Sequence, residues 1–207
     1  MQSSSRGHDD GNSRVVKAFG HFRCGPYPYG MKSLLILVLA GVLSFGPVAM
    51  ARQDDLFSRL KLTSDVQEAR LIEGLIWTLW FESGSPDIDR LIEAGNDAMG
   101  AGRYEDALAR FTRVIERDPA FSEGWNRRAT LYYLMGNFGA SVRDIQETLA
   151  REPRHFGALS GLGLINSALE RWDSAVKAYE AALRVNPFLP GAKKNVEDLR
   201  KKLEQDV

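Results

Sequence analysis

The stretch SEGWNRRATLYYLMGNFGASVRDIQETLAREPRH, residues 122–155, decides the fold because the sequence on either side repeats its pattern. Pro119, Pro153 and Pro187 follow one another at a constant interval of 34 residues. Aligned on these prolines without a gap, the chain divides into three units, at residues 88–121, 122–155 and 156–189. A fixed period of this size is typical of proteins built from stacked structural repeats.

Each unit carries the same residue types at the same internal positions. Small residues occupy positions 8 and 20, an aromatic residue occupies position 17, and a bulky residue occupies position 24. In chain order these are Gly95, Ala129 and Gly163; Ala107, Ser141 and Ala175; Tyr104, Phe138 and Trp172; and Phe111, Ile145 and Tyr179. Small residues let two helices approach closely, while the bulky residues fill the space between them. The proline at position 32 stops the second helix of each unit.

With Leu91, Trp125 and Leu159 at position 4, this pattern resembles the tetratricopeptide repeat, a helix–turn–helix unit. The resemblance covers residues 88–189 without interruption. It implies an all-α fold, an α-solenoid of three helix hairpins in which each unit buries an apolar face against its neighbour.

Both ends of such a solenoid need covering. Residues 190–207 place Val196, Leu199 and Leu203 at helical spacing, which predicts a C-terminal capping helix. Residues 52–86 predict an N-terminal capping helix packed on the first repeat. The alternative for that helix is a self-association or partner surface formed by Trp77 and Phe81, since exposed aromatic residues often mark interfaces.

An apolar run at residues 34–45 follows Lys32 and precedes the small-residue sequence Ala49-Met50-Ala51. This pattern predicts a secretory signal peptide over residues 31–51 and an exported, periplasmic bacterial protein. The run is short for a transmembrane helix of about 20 residues, but an anchor in the inner membrane is the alternative.

Residues 1–30 are polar and rich in glycine and serine, so they are predicted to be disordered or a mis-called extension. We expect Met31 to be the true start of the chain. The alternative is a long, genuine leader that begins at Met1.

Composition argues against several classes of function. The formal net charge is zero and there is no basic stripe, which argues against a nucleic-acid partner. Cys24 is the single cysteine, so no disulfide within the chain and no Cys-rich metal site can form. No phosphate-binding or metalloprotease motif is present. We therefore predict no metal, no cofactor and no enzyme activity, with His155 in a capping or surface role.

The resemblance implies a concave groove lined by the first helix of each unit, at positions 2, 5, 6, 9, 12 and 13, which binds a protein or peptide partner. The polar candidates at these positions are Asn96, Asn126, Arg127, Thr130, Tyr133 and Ser160. Arg127 and Tyr133 are the groups best suited to hold a peptide backbone or carboxylate. The structural interpretation of Arg127 is a solvated i, i+4 ion pair with Glu123.

One subtype of the resembled family clamps the C-terminal carboxylate of its partner with lysine, asparagine and arginine residues at fixed positions. Asn96 matches that set. Four other positions do not match it, namely Ile92, Arg127, Gly157 and Gly161. The resemblance therefore does not imply recognition of chaperone tails.

Arg128 stands at position 7, where the family pattern has an interior leucine. A buried unpaired charge is strongly destabilising, so Arg128 is predicted to have a carboxylate partner. Asp144 of the same unit is the first candidate and Asp97 the second. Trp125 and Tyr132 are predicted to cover the guanidinium group.

Two functions stay open at this level. The first is an exported adaptor or scaffold that binds a peptide or protein segment in its groove. The second is a structural subunit of an envelope assembly, joined through its terminal helices, with the groove unused.

Overall fold

The computed structural model describes residues 45–205, with side chains from residue 51 onward. Within these residues the predicted all-α fold is confirmed, and Gly46–Val207 form one compact unit. The helices α1 to α9 are, in order, Phe45–Leu62, Val66–Phe81, Pro86–Gly100, Tyr104–Arg117, Ser122–Leu134, Phe138–Arg151, Phe156–Ala168, Trp172–Val185 and Ala192–Gln205.

The segment assigned to export lies mostly outside the described residues. The extension at residues 1–30 and the apolar run as far as residue 44 are not described, and α1 begins at Phe45. The predicted cleavage point after Ala51 therefore falls inside α1. Of the helices between residues 45 and 205, none is both long and apolar enough to cross a membrane.

Each 34-residue unit contains one helix hairpin, with α3–α4, α5–α6 and α7–α8 as repeats one, two and three. The turn between the two helices needs a residue with positive φ, in the left-handed region, at position 15. Gly102 and Gly136 supply it with φ of 73°, as glycine does at little cost. Repeat three uses Glu170 instead, at φ 56°, which is an unusual conformation for a residue with a side chain.

The small residues at position 8 let the helices of a hairpin touch. In repeat three, a Cβ atom added to Gly163 would lie 2.8 Å from the ring of Tyr179 at position 24. In repeat one, a Cβ atom on Gly95 would overlap the ring of Phe111. The ring takes the volume that a side chain would need, so the pattern in the sequence reflects a direct contact between the two positions.

The C-terminal helix α9 covers repeat three as predicted. Val196 and Leu199 are buried, and Leu203 is partly buried against the same apolar cluster. Lys202 and Arg200 lie on its outer side, where Arg200 pairs with Glu180 of α8. An apolar face toward α8 and a charged face toward solvent make α9 a cap for this end.

The N-terminal helices α1 and α2, which we call the N-terminal helix pair, do not cap repeat one as predicted. Their buried residues belong to one apolar cluster with α7, α8 and α9, whereas the core of repeat one forms a separate cluster with Leu131. The buried residues of the pair are Leu56, Phe57, Leu60, Ala69, Ile72, Ile76 and Trp80. The amphipathic pattern correctly indicated a buried face but not the surface that it covers.

The outer end of repeat one instead presents charged side chains to solvent. At positions 3 and 10 repeat two has Gly124 and Leu131, which pack on repeat one. Repeat one has Arg90 and Asp97 at these positions, and both are exposed. They line an open trough of about 560 Å³ together with Arg110 and Arg117 of α4. A polar outer face of this kind is how a terminal repeat stays soluble.

Candidate protein-binding face

The concave face of the solenoid is formed by α3, α5 and α7, the first helix of each repeat. The sequence-predicted site residues lie on these three helices. The N-terminal helix pair packs against α5 and the start of α7, so the structure divides the face into a covered part and an open part.

Glu123 is the centre of the covered part, and its side chain is fully buried. Its carboxylate accepts hydrogen bonds from Arg127 Nε at 2.6 Å and from Asn126 Nδ2 at 3.0 Å. His155 Nε2 lies 3.0 Å from the same carboxylate. The predicted Glu123–Arg127 pair exists, but it is buried rather than solvated.

The hydrogen bonds of His155 define its tautomer. Its Nδ1 accepts the backbone N–H of Ala158 at 3.1 Å and so caps the N-terminus of α7. A nitrogen that accepts from a backbone N–H carries no proton, so the proton is on Nε2, which donates to Glu123. His155 is thus a capping residue, one of the two roles predicted for it, but it is buried.

Two opposing effects act on the pKa of Glu123. Burial raises the pKa, because a charged carboxylate is poorly solvated inside the protein. The charge of Arg127 and the hydrogen bond from His155 lower it, and together they outweigh burial, so the pKa lies below its usual value. Glu123 is therefore an ionised structural anchor and not a proton donor.

Three aromatic side chains of α2 cover this anchor. The ring of Trp80 stacks on His155 at 4.2 Å, and the ring of Phe81 lies 4.5 Å from the guanidinium carbon of Arg127. Trp77 packs edge-on against Phe156 at 5.3 Å. Trp77 and Phe81, the alternative surface for self-association, both contact the protein's own repeats and are half-buried, so self-association through them stays a prediction.

Gly157 is the residue that makes room for Trp77. A Cβ atom at Gly157 would lie 2.7 Å from Cη2 of Trp77, closer than real side chains approach. Glycine at this position of the concave face leaves room for a bulky side chain. The bulky side chain is in fact supplied by α2 of the same chain.

Polar contacts fix the edges of the N-terminal helix pair. Arg154 pairs with Asp54 at 2.5 Å and lies over the ring of Phe57 at 4.4 Å. Glu73 of α2 accepts a hydrogen bond from Asn186 Nδ2 at 3.0 Å. These contacts reach the loop before α7 and the loop after α8, so the pair spans the end of repeat two and repeat three.

The other polar candidates in the covered part are engaged inside the protein. Asn126 bonds to Glu123, and Thr130 Oγ1 donates to the Asn126 carbonyl oxygen at 3.0 Å. Tyr133 is 6% exposed and Ser160 is 5% exposed. Burial also raises the pKa of Tyr133. Of these residues, which were predicted to contact a partner, Asn126, Tyr133 and Ser160 are buried and Thr130 is half-buried.

Repeat one provides the open part of the face. Asp89, Glu93 and Gly100 are exposed, and nothing lies within 4 Å of a Cβ atom added to Gly100. Asn96 is half-buried between them, and its Oδ1 is buried without a hydrogen-bond donor. Buried polar atoms without partners are rare in proteins, so this oxygen is an exception that the contacts of the fold do not explain.

The carboxylate clamp is absent for physical reasons as well as by sequence. Ile92 is buried in the core of repeat one, and Arg127 is committed to Glu123. The space at Gly157 is filled by Trp77. Of the five positions compared, Asn96 alone has the residue type that this subtype uses.

Arg128 has the structural role predicted for it. Its guanidinium group donates to both carboxylate oxygens of Asp144, at 2.7 and 3.0 Å, and to Thr112 Oγ1 of repeat one at 3.2 Å. Trp125 and Tyr132 lie beside it at 5.3 and 5.8 Å. The hydrogen bonds with Asp144 raise the pKa of Arg128 further. The guanidinium group of Arg128 therefore links the two helices of repeat two to each other and to repeat one.

The described part of the chain offers no metal-binding cluster: in residues 51–205 no group of three His, Cys, Asp or Glu side chains is arranged to hold an ion. The polar groups of the concave face are hydrogen-bonded side chains in repeat two and exposed carboxylates in repeat one.

Comparisons with known proteins agree with the repeat architecture. A family model of the tetratricopeptide repeat matches residues 92–135 and 127–192. The chain is 25% identical to Hsp70-Hsp90 organizing protein 2 of Arabidopsis thaliana, over 56% of this chain but only 21% of that protein. It also resembles the first TPR domain of Spaghetti (RPAP3) bound to an HSP90 peptide. That match has a TM-score of 0.54 and 25% identity, and covers 56% of this chain and 93% of that domain.

A longer match extends N-terminal of the repeats, to α2. The chain is 40% identical to a TPR repeat-containing protein of Rhizobium etli over 152 residues, which is 73% of this chain and 74% of that protein. Any window of this length in a chain of 207 residues includes α2, so the match extends beyond the repeats. By its repeats, its fold and this relative, the chain belongs to the tetratricopeptide repeat family.

Proposed function

We propose that the protein is a non-catalytic scaffold that holds a segment of a protein partner against the concave face of repeat one. The observation that carries this proposal is Asn96, whose buried Oδ1 has no donor within the described chain. A backbone N–H of a bound segment would satisfy it. The same face over repeats two and three is filled by α2, so a bound segment would meet α2 there and not the groove.

The chemistry of the open part specifies the partner further. Asp89 and Glu93 are exposed beside Asn96 and make the rim acidic. A segment with Lys or Arg side chains fits this rim better than an acidic one. The related RPAP3 domain holds an HSP90 peptide of sequence SRMEEVD, which carries three acidic side chains. The present chain lacks the carboxylate clamp that suits such a peptide, and its acidic rim favours a basic segment over an acidic one.

A site-specific crosslinking experiment tests this assignment. A photoreactive amino acid replaces Glu93 in one variant and Arg113 in another, since Arg113 is exposed on α4 of the same repeat. We expect a crosslinked partner from position 93 and none from position 113. Asn96→Ala in the first variant should abolish the crosslink. Equal crosslinking at both positions, or no effect of Asn96→Ala, would contradict the proposal.

We further propose that the protein works in the bacterial cell envelope, exported by residues 31–51. N-terminal sequencing of the protein from fractionated cells tests this. A mature chain that starts at Arg52 in the periplasm is the expected result. A chain in the membrane fraction that retains residues 34–45 would favour an inner-membrane anchor instead.

A second candidate function is that of a structural subunit joined through its terminal helices. The observation that favours it is the exposure of Leu71 and Leu75 on α2, away from the repeats. This candidate predicts that Leu71→Glu abolishes assembly while Asn96→Ala has no effect, which is the reverse of the result expected for the groove.

A further inference from the structure

The hydrogen bonds of the buried anchor in repeat two do not depend on the helix that covers it. Glu123 accepts hydrogen bonds from Arg127 of α5 and from His155, which lies directly before α7. The covering helix α2 contributes ring faces, with Trp80 stacked on His155 and Phe81 beside the guanidinium group of Arg127. These hydrogen bonds would therefore survive if α2 moved away from the repeats.

The docked position of α2 instead carries two polar costs. Nε1 of Trp80 is buried and has no hydrogen-bond acceptor. In water this N–H would be hydrogen-bonded, so its burial disfavours the docked state. Glu73 carries the second cost, because burial raises its pKa and so disfavours its charged form, despite a hydrogen bond from Asn186. Both costs disappear when α2 leaves the groove.

The polar contacts at the rim of the N-terminal helix pair are weak ones. Arg154 pairs with Asp54, and both side chains are more than a third exposed, at 37% and 64%. Gln53 donates a hydrogen bond to Glu152 beside them. Exposed ion pairs are screened by solvent and add little to stability. The docked state therefore depends on the buried apolar side chains of the pair, which belong to the same cluster as α7, α8 and α9.

The linker between α2 and α3 would allow the pair to move without disturbing repeat one. It consists of residues 82–85, and Gly84 within it is exposed and has φ of 75°. Ser83 Oγ donates to Asp89 of α3 at 2.5 Å, so from Ser83 onward the linker is bonded to repeat one. A rotation at Glu82 would therefore release the pair and leave these contacts in place.

We propose that the N-terminal helix pair is a reversible cover, and that the concave face of repeats two and three beneath it is a second binding site. Its partner is an amphipathic helix of another protein with aromatic residues at the spacing of Trp77, Trp80 and Phe81. The position of α2 carries this choice, because Trp77 fills the space over Gly157 and Trp80 stacks on His155. The site lies outside repeat one, so the proposal extends beyond the function proposed above.

The covered site favours its own α2 over a free helix. Because α2 is tethered by a short linker, its effective concentration at the groove is on the order of millimolar. A free helix must overcome this advantage, and it must also replace the apolar surface that the pair buries. A helix of the same chemistry therefore binds the natural protein weakly and binds more tightly when the cover is loosened.

Hydrogen exchange of the full-length protein tests whether the cover opens. Protection factors in α1 and α2 should be at least about tenfold lower than in α6 and α8, because the pair opens without global unfolding. Asp54→Arg places a like charge against Arg154 and should lower the protection of α2 further. Asp55→Arg is the matched control at an exposed residue of the same helix and should leave it unchanged. Glu73→Gln removes the buried charge and should raise it.

Two results of this experiment would overturn the proposal. One is equal protection of the pair and of α6 and α8 in the natural protein. The other is an equal effect of Asp54→Arg and Asp55→Arg on α2. Unchanged protection of α6 and α8 shows that both variants remain folded.

A synthetic peptide tests the chemistry of the partner. The probe is a fluorescent peptide of residues 66–82, and its control has alanine in place of both tryptophans. We expect the probe to bind Asp54→Arg at least about threefold more tightly than the natural protein, and the control peptide to bind neither. Asn96→Ala should leave probe binding unchanged, which separates this site from repeat one. No binding of the probe to Asp54→Arg, or equal binding of the two peptides, would overturn the proposal.

Discussion

Repeats one and two place the same family position in opposite surroundings. At position 2, Asp89 of repeat one is exposed and accepts a hydrogen bond from Ser83 Oγ at 2.5 Å. At the same position of repeat two, Glu123 is fully buried and bonds to Arg127, Asn126 and His155. The difference arises from α2, which crosses repeat two but leaves repeat one open. Repeat register thus fixes the direction of a side chain, and the neighbouring helix decides whether it meets solvent.

The largest expected effect comes from removing the buried anchor of repeat two. Glu123→Ala leaves Arg127 and His155 without their acceptor, and breaking a buried ion pair costs about 3–5 kcal/mol of unfolding free energy. Asp89→Ala, at the matched position of repeat one, should cost less than about 1 kcal/mol because the side chain is exposed. Urea unfolding of both variants measures the contrast. Similar losses of unfolding free energy in the two variants would show that Glu123 is not buried beneath α2.

The next largest effect tests the contact between Trp77 and repeat three. Gly157→Ala forces a methyl group against the Trp77 ring, and overpacking of this kind costs about 1–3 kcal/mol. Gly100→Ala, in the open groove of repeat one, meets no atom within 4 Å and should be neutral or stabilising. Thermal unfolding compares the two. A neutral Gly157→Ala would mean that α2 does not occupy the groove.

A smaller effect concerns the pH dependence of the N-terminal helix pair. Burial raises the pKa of Glu73 above its usual value of 4.5, despite hydrogen bonds from Asn186 and Trp77. The folded protein therefore gains stability as the pH falls from the raised pKa toward 4.5, whereas ionised Glu73 costs stability at pH 7. Glu73→Gln keeps an acceptor for Asn186 and should be at least as stable as the natural protein at pH 7.

Unfolding free energies at several pH values check this expectation. The advantage of Glu73→Gln should shrink as the pH falls. Glu123 provides the opposite sign within the same protein, because its lowered pKa means that its contribution is full above 4.5 and lost as the pH falls through the folded value. An advantage of Glu73→Gln that grows in acid would contradict the assignment.

The smallest effect on stability belongs to the open groove. Asn96→Ala removes a buried oxygen that has no donor, so the unfolding free energy should change by less than about 0.5 kcal/mol or rise slightly. Asn126→Ala, in the covered part, loses a hydrogen bond to Glu123 and should cost about 1–3 kcal/mol. A clear loss of stability in Asn96→Ala would show that its amide is already satisfied.

Much of the fold could be predicted from particular residues. The prolines and small residues define the hairpins, because helix termination and close helix packing are local properties that repeat with the period. Arg128 and Asp144 were also predictable as a pair. A charge at an interior position requires a partner, and of the two candidates, Asp144 and Asp97, the structure has the first.

The site was less predictable. Glu123 and Arg127 have the spacing of a solvated surface pair, and nothing local distinguishes that pair from a buried one. His155 offered one signal, since it lies 32 residues after Glu123, at the end of repeat two and directly before the first helix of repeat three. The rings of Trp77 and Phe81 showed that α2 covers something, but a hydrophobic pattern does not identify what it covers.

The sequence by itself determined the repeat, the number of hairpins, the close approach of their helices and the need of Arg128 for a carboxylate. These follow from periodicity, side-chain volume and charge, which act over one or two repeats. Only the tertiary structure decided that α2 covers repeats two and three and leaves repeat one open. That choice depends on contacts between residues about 80 positions apart, such as Trp77 with Gly157, whose complementarity of shape exists only once the chain is folded.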